Sequence, residues 1–385
     1  MVVREVGHEK LEKILKKDYE EDIAHFVSGA TGIGKSMTVD KVCKELAEKM
    51  GREYIKWNKI RKEDKLKVSE NPEKYFFMMD IRLSQLDPSD LRGLPALNGK
   101  SVVEWKIPFW LHVASLKGAK GIIFFDEINL APPSIQAAAY QLIHDRELGE
   151  TPISDGVLPI GAGNRLEDRA NVYDLPRPLQ NRFTHTTLRP PVITQDCKSK
   201  GGITDWGEWA LNNNIDMNIV TFLIQRPNLL NPKISQDNNE RAFPTPRSWA
   251  VCSKLIKGEK DLEWIEELAS TAVGSGAASE LVSTIKFQRQ INLNDILRHP
   301  EKAGDIKELD LKYSLLSLVS EWYAINNKKE SLETVLQIAN VIQPEFAILL
   351  LRFAKIKHPS SFKKHVTTLK TWKPISKKYQ KYLLT

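Results

Sequence analysis

The chain has 385 residues, 41% hydrophobic and 27% charged, a composition that suits two or three folded domains and argues against wholesale disorder. Apolar runs such as Ile122–Phe125 and Phe346–Leu351 fall far short of the roughly 20 residues that cross a bilayer, so no membrane insertion is expected. The net charge is +7, but residues 351–385 carry ten Lys or Arg and no Asp or Glu, which leaves residues 1–350 at −3. Three scattered cysteines, Cys43, Cys197 and Cys252, match neither a disulfide framework nor a metal-ligand spacing. With a charged N-terminus that lacks the apolar stretch of a signal peptide, they suit a cytoplasmic protein.

In chain order, residues 9–20 read as a short charged helix. AHFVSGATGIGKSMTVDKVCKELAEKM then reads as a strand, a glycine loop and a helix with Val39, Val42, Cys43 and Leu46 along one face. The polar, lysine-rich stretch 58–73 is expected to be an exposed insertion. YFFMMDIRL (75–83) is a second strand, DPSDLRGLP (87–95) opens with a helix-start signal at Asp87, and 101–105 suggests a small hairpin. GIIFFDE is a third strand, PSIQAAAYQLIHDRE a helix, and VLPIGAGN (157–164) a fourth strand. Strands alternating with helices predict a parallel, doubly wound sheet whose ligands gather at the carboxyl ends of the strands. After Pro190 and Pro191 the pattern changes. From about 205 to 355 the chain reads almost entirely as helices, broken near Pro227, Pro232, Pro244–Pro246 and Pro300.

Residues 29–36, GATGIGKS, satisfy G-x-x-x-x-G-K-[ST] between a strand and a helix. Glycines let backbone N–H groups converge on phosphate oxygens at the positive end of the following helix. Lys35 is then placed to reach the β- and γ-phosphates, and Ser36 to ligate Mg²⁺. A plain glycine turn is the alternative, and the flanking strand and helix weigh against it. The apolar run Ile122–Phe125 ends on two acids, Asp126 and Glu127, although a buried strand should not end on paired like charges without a partner. The same metal gives Asp126 its partner, and Glu127 is left to polarise the attacking water. Asn164, at the end of the next strand, offers both a donor and an acceptor to that water or to the γ-phosphate. Two arginines, Arg182 in LPRPLQNRFTH and Arg247 in FPTPRSW, have the guanidinium that suits charge building on a transferring phosphoryl group. In isolation either reads as a surface residue.

Together these residues resemble the AAA+ ATPases, and within them the MoxR-like, dynein-related branch. GATGIGKS is similar to the family's Walker A loop. FFDEINLAPPSIQAAAYQLI is similar to its extended Walker B, and Asn129, Ala131, Pro132 and Gln136 are what mark the branch. The resemblance covers roughly residues 20–255. It implies an α/β fold in which a P-loop AAA+ core, a parallel sheet sandwiched by helices, fills residues 1–192, with 87–110 as an insert region. A helical lid over 193–295 and a helical, basic C-terminal extension over 296–385 would follow. It implies ATP and Mg²⁺ as cofactors. Gly29, Ala30, Thr31, Gly32, Ile33, Gly34, Lys35, Ser36 and Met37 would bind nucleotide, with Ser36 and Asp126 on the metal. Asn164 falls at sensor 1, Arg182 at the arginine finger with Arg177 as its rival, and Arg247 at sensor 2. With Glu127 these make the expected catalytic set. The family also implies a self-assembled ring, usually a hexamer, that remodels a client, often beside a partner with a von Willebrand factor A domain. The chain departs from the pattern in reading GAGNR at sensor 1 and in extending beyond the lid.

The basic tail supports a competing class, a nucleic-acid motor. Its lysines are interleaved with Phe362, Trp372, Tyr379 and Tyr382, residues that suit phosphate neutralisation and base stacking. A lysine-rich face that docks an acidic protein, or is merely solvated, is the other reading. Trp105 and Trp110 either grip a client or pack; for Trp110 packing is expected. A passive nucleotide-gated scaffold is a third class, against which an intact Glu127 counts.

Overall fold

The computed structural model describes residues 5–97, 103–165, 173, 175–232 and 241–383. They form two compact units, residues 1–190 and 191–385.

In the first unit the chain runs through β1 (Glu5–Val6), α1 (His8–Glu20), β2 (His25–Ser28), α2 (Lys35–Lys49), β3 (Glu53–Lys56), α3 (Lys62–Glu70) and β4 (Tyr75–Arg82). It continues through α4 (Pro88–Arg92), β5 (Leu94–Leu97), β6 (Val103–Lys106), α5 (Phe109–Ser115), β7 (Lys120–Asp126) and α6 (Pro133–His144). Then come β8 (Glu147–Leu148), β9 (Thr151–Pro152), β10 (Gly156–Gly163), α7 (Arg177–Gln180) and β11 (Thr184–Leu188). Seven strands make one sheet in the order β1-β11-β2-β10-β7-β4-β3, and every pairing in it is parallel.

The two central apolar runs explain themselves by alternation. Phe76, Met78, Ile122 and Phe124 face a core shared with α1 and α2. Phe77, Met79, Ile81, Ile123 and Phe125 face a second core shared with α5 and α6. A strand covered on both faces has no polar side, which is why FFMM and IIFF read as continuous runs. Each such side chain, fully buried, stabilises the unit by about 1.5–3 kcal/mol.

The four strands read from the sequence are present, and β1, β3 and β11 are additional. Those three are two to five residues long and polar in composition, and β1 and β3 are the sheet's edges. The stretch 58–73 is not a wholly exposed insertion. It folds as α3 between short 3₁₀ turns, because Val68 is fully buried in the core and Trp57 beside it is 6% exposed. The expected hairpin is wider than 101–105: β5 pairs antiparallel with β6, and the residues between them lie outside those described. Trp105 on β6 is exposed, whereas Trp110 packs against the core.

The second unit is helical: α8 (Trp206–Asn212), α9 (Met217–Gln225), α10 (Pro246–Leu255), α11 (Leu262–Val273), α12 (Ser275–Gln288), α13 (Leu293–Arg298), α14 (Leu309–Ile325), α15 (Lys329–Val341), α16 (Pro344–Lys357), α17 (Pro359–Val366) and α18 (Trp372–Leu383). One apolar core runs from Ile193 to Tyr379, so the expected lid and the expected extension share it. Among the described residues no helix is long and apolar enough to cross a membrane. Glu321 on α14 lies half-buried near Asp216 and Lys357. Burial, with repulsion from Asp216, pushes its carboxyl up to about 7 against the pull of Lys357.

A carboxyl raised in the folded state favours folding most when protonated, so its contribution declines as pH rises from the ordinary carboxylate range to about 7. Glu321→Gln, which carries no charge, should therefore gain on the wild type across that window, by on the order of 3 kcal/mol. Urea unfolding of both proteins at pH 5 and pH 8 checks this; a difference independent of pH contradicts it.

Candidate functional site

The carboxyl ends of β2, β10 and β7 lie side by side, since Ser28 is level with Gly163 and Gly161 with Phe125. Three connections leave the sheet there: the glycine loop into α2, the turn after Asp126, and the segment after Asn164. Parallel topology thus assembles at one edge residues that are up to 135 positions apart, from Gly29 to Asn164.

The loop closes on its own lysine. Lys35 is only 8% exposed, and its Nζ donates to the carbonyl oxygens of Gly29 (2.6 Å) and Ala30 (2.9 Å) and to Oδ1 of Asn164 (3.0 Å). Thr31 Oγ1 donates to the same Asn164 oxygen at 3.3 Å. Gly34, with φ +103°, is the residue before α2 and caps it without a side chain, so the helix's positive end opens onto the loop. A side chain at Gly34 would be strained by that φ and would press on the His8 ring at 3.1 Å. Ile33 is buried, whereas Met37 is exposed.

The Ser36 hydroxyl donates to Asp126 Oδ2 at 2.8 Å, which brings together the two residues expected to hold a metal. Both side chains are half-buried. Among the described residues no group of three His, Cys, Asp or Glu could enclose an ion. A hydroxyl with one carboxylate instead fits Mg²⁺, which keeps most of its water and shares the rest with phosphate oxygens. Glu127 has left-handed backbone, φ +55°, and leads into a 3₁₀ turn, Ile128–Leu130. It is half-buried beside Asp126.

Asn164 is 9% exposed, and its side chain meets both Lys35 and Thr31. Arg182 follows α7 and is exposed, as is Arg177 in α7 itself. Neither forms part of the Lys35–Asn164 or Ser36–Asp126 contacts. Arg247 is exposed in the first turn of α10, in the other unit, where Thr245 and Ser248 form a capping box behind Pro246.

Two residues of the site escape a reading of the sequence. Asp80, on β4, shares a sheet face with Asp126; its carboxyl is raised by burial and then by the Asp126 charge. Its signal was legible, since MMD repeats the pattern of apolar residues ending on an acid. His8 bonds through Nε2 to the Ile33 carbonyl at 2.8 Å, and burial lowers its pKa. A histidine in the first turn of a charged helix gives no such signal.

The tail corrects one expectation. Phe362 and Tyr379 are buried and Trp372 packs against the same core, with Phe362 and Trp372 in edge contact at 6.2 Å. Their apolar faces are spent on packing and not on bases. Lys363, Lys364, Lys370, Lys373, Lys377 and Lys378 stand outward. The side chain of Tyr382 lies outside those described.

No family model matches the chain, and no curated protein does. Among solved structures it is similar to a RuvB variant of Thermotoga maritima, at 15% identity and a TM-score of 0.36, with 76% of each chain covered. It is similar to Hsp104 in a closed state with ATPγS and FITC casein, at 13% identity and a TM-score of 0.35, covering 72% of this chain but 46% of that one. It is also similar to NtrX of Brucella abortus in complex with ADP, at 12% identity and a TM-score of 0.34, with 84% and 66% covered. At such distances the functional reading rests on the geometry of the site.

Proposed function

We propose that the chain is an ATP-hydrolysing AAA+ protein of the MoxR-like branch, working as a self-assembled ring on a protein client or partner complex. The observation that carries this reading is the convergence of Lys35, Ser36, Asp126 and Asn164 at the ends of three adjacent parallel strands. An anion-binding loop, a metal-binding pair and a polar amide within one site suit phosphoryl transfer from a nucleotide, and few other chemistries.

In this reading Lys35, now held by three protein oxygens, turns to the β- and γ-phosphate oxygens lying on the loop. Ser36 and Asp126 would hold Mg²⁺, which when bound would supply neutralisation of phosphate charge. Glu127 orients and polarises the attacking water, and Asn164 holds that water or the γ-phosphate. Because Arg182 is exposed, its guanidinium is suited to a neighbouring subunit's site rather than its own; Arg177 is the alternative. Arg247, on the helical unit, would report the nucleotide state to it. The hexamer and a von Willebrand factor A domain partner follow from the resemblance alone, and a cytoplasmic setting from the three scattered cysteines.

A protein client is preferred to nucleic acid because four of the tail's five aromatics, Phe353, Phe362, Trp372 and Tyr379, are engaged in packing. The outward lysines suit an acidic protein surface.

Glu127→Gln should keep ATP binding while hydrolysing it at least about a hundredfold more slowly, the effect of losing a general base. Steady-state turnover beside a binding titration checks this, and near-normal turnover removes Glu127 from that role. For the shared site, Arg182→Ala and Lys35→Ala should each be inactive alone and regain part of the activity when mixed. Mixtures with no recovery would place Arg182 outside a neighbour's site.

A further inference from the structure

We propose that Asn129 is a positioning residue that ties the turn carrying Glu127 to the strand carrying Asn164, so that hydrolysis depends on it while nucleotide binding does not. The proposal rests on the ATPase reading above and adds to it a residue that touches neither nucleotide nor metal.

Asn129 sits two residues after Glu127, inside the 3₁₀ turn that Glu127 opens, and is 6% exposed. Its Nδ2 donates to the backbone carbonyl of Asn164 at 2.7 Å. Its own carbonyl accepts from the Tyr173 amide at 2.7 Å. The amide packs closely against Gly163: a Cβ there would stand 2.4 Å from Oδ1 and 2.7 Å from Cγ. Only glycine at 163 leaves room for this approach.

The other end of the amide is anomalous. Oδ1 is buried and, among the described residues, has no hydrogen-bond partner, an arrangement that destabilises a fold. An apolar side chain would carry no such orphan acceptor, so burial alone gives no reason for an amide here. What the amide does supply is a bond between two strands' exits. On one side lies Glu127 with its left-handed backbone. On the other lies Asn164, whose Oδ1 receives Lys35 and Thr31. Gln136, 1% exposed, braces the same turn by donating to the Ala131 carbonyl at 2.9 Å. The loop residues Lys35 and Ser36 make their contacts without Asn129.

The experiment is steady-state ATP turnover and equilibrium binding of a fluorescent ATP analogue for wild type, Asn129→Leu and Asn129→Asp, with thermal melts by circular dichroism. Leucine removes the donor and the orphan acceptor together; aspartate removes the donor at constant shape. In both, kcat should fall about tenfold to a hundredfold, as expected for a catalytic group displaced by about an ångström. Affinity for the analogue should stay within about threefold, and both variants should still unfold in a cooperative melt. Turnover within about twofold of wild type in either folded variant overturns the proposal. So does an equal loss of affinity and turnover, or failure of both variants to fold, since either makes Asn129 a structural residue. If wild type shows no turnover that Lys35→Ala abolishes, it is the ATPase reading that fails, and the proposal falls with it.

Discussion

Burying the Lys35 ammonium is the constraint on which the site depends. A cation removed from water costs several kcal/mol unless oxygens surround it, by the usual order of magnitude. Here the oxygens are two carbonyls of its own loop and the amide of Asn164. The first two force the chain to fold back at once after β2, which places a glycine of positive φ where α2 begins. The third requires β10 to lie beside β2, as it does in the parallel sheet. Local conformation and sheet order thus answer one electrostatic demand. The demand is also reversible, because every one of these partners is neutral and a phosphate would compete with them for the cation.

The paired acids at the end of β7 are answered in the same way. Asp126 meets the Ser36 hydroxyl across the sheet's edge, and Glu127 leaves the strand with left-handed backbone. A non-glycine residue in that conformation costs about 1 kcal/mol and persists where the surroundings fix it. Two buried amides, Asn129 and Gln136, are those surroundings. The motif tail after the acids thereby has a mechanical meaning: it sets the exit of one strand against the exit of the next.

Much of this was legible in the sequence, for physical reasons. FFMM and IIFF are short apolar runs that read as strands covered on both faces, and a glycine loop between a strand and a helix leaves little freedom in where its lysine goes. Pro246 behind Thr245 marked the start of α10. What could not be read were elements whose identity is lent by neighbours. β3 and β11 are short and polar, and become strands only because β4 and β2 offer them an edge. Val68, one apolar residue in a lysine-rich stretch, anchors α3, and no periodicity announces a single anchor. The aromatics of the tail alternate with lysines in a pattern that suits stacking or packing equally. Only the helical core decides that they pack. His8 reaches the loop through a fold-level contact that leaves no trace in its local sequence.

In the proposed function Lys35 is a phosphate cation parked on its own loop. The most direct test is calorimetric titration of the full chain with ATP, with and without Mg²⁺, for wild type and for Lys35→Ala. Saturable binding by wild type, strengthened by Mg²⁺ and lost in Lys35→Ala, is the result this account predicts. Equal ATP binding by both proteins would show that Lys35 serves the fold alone, and would contradict it.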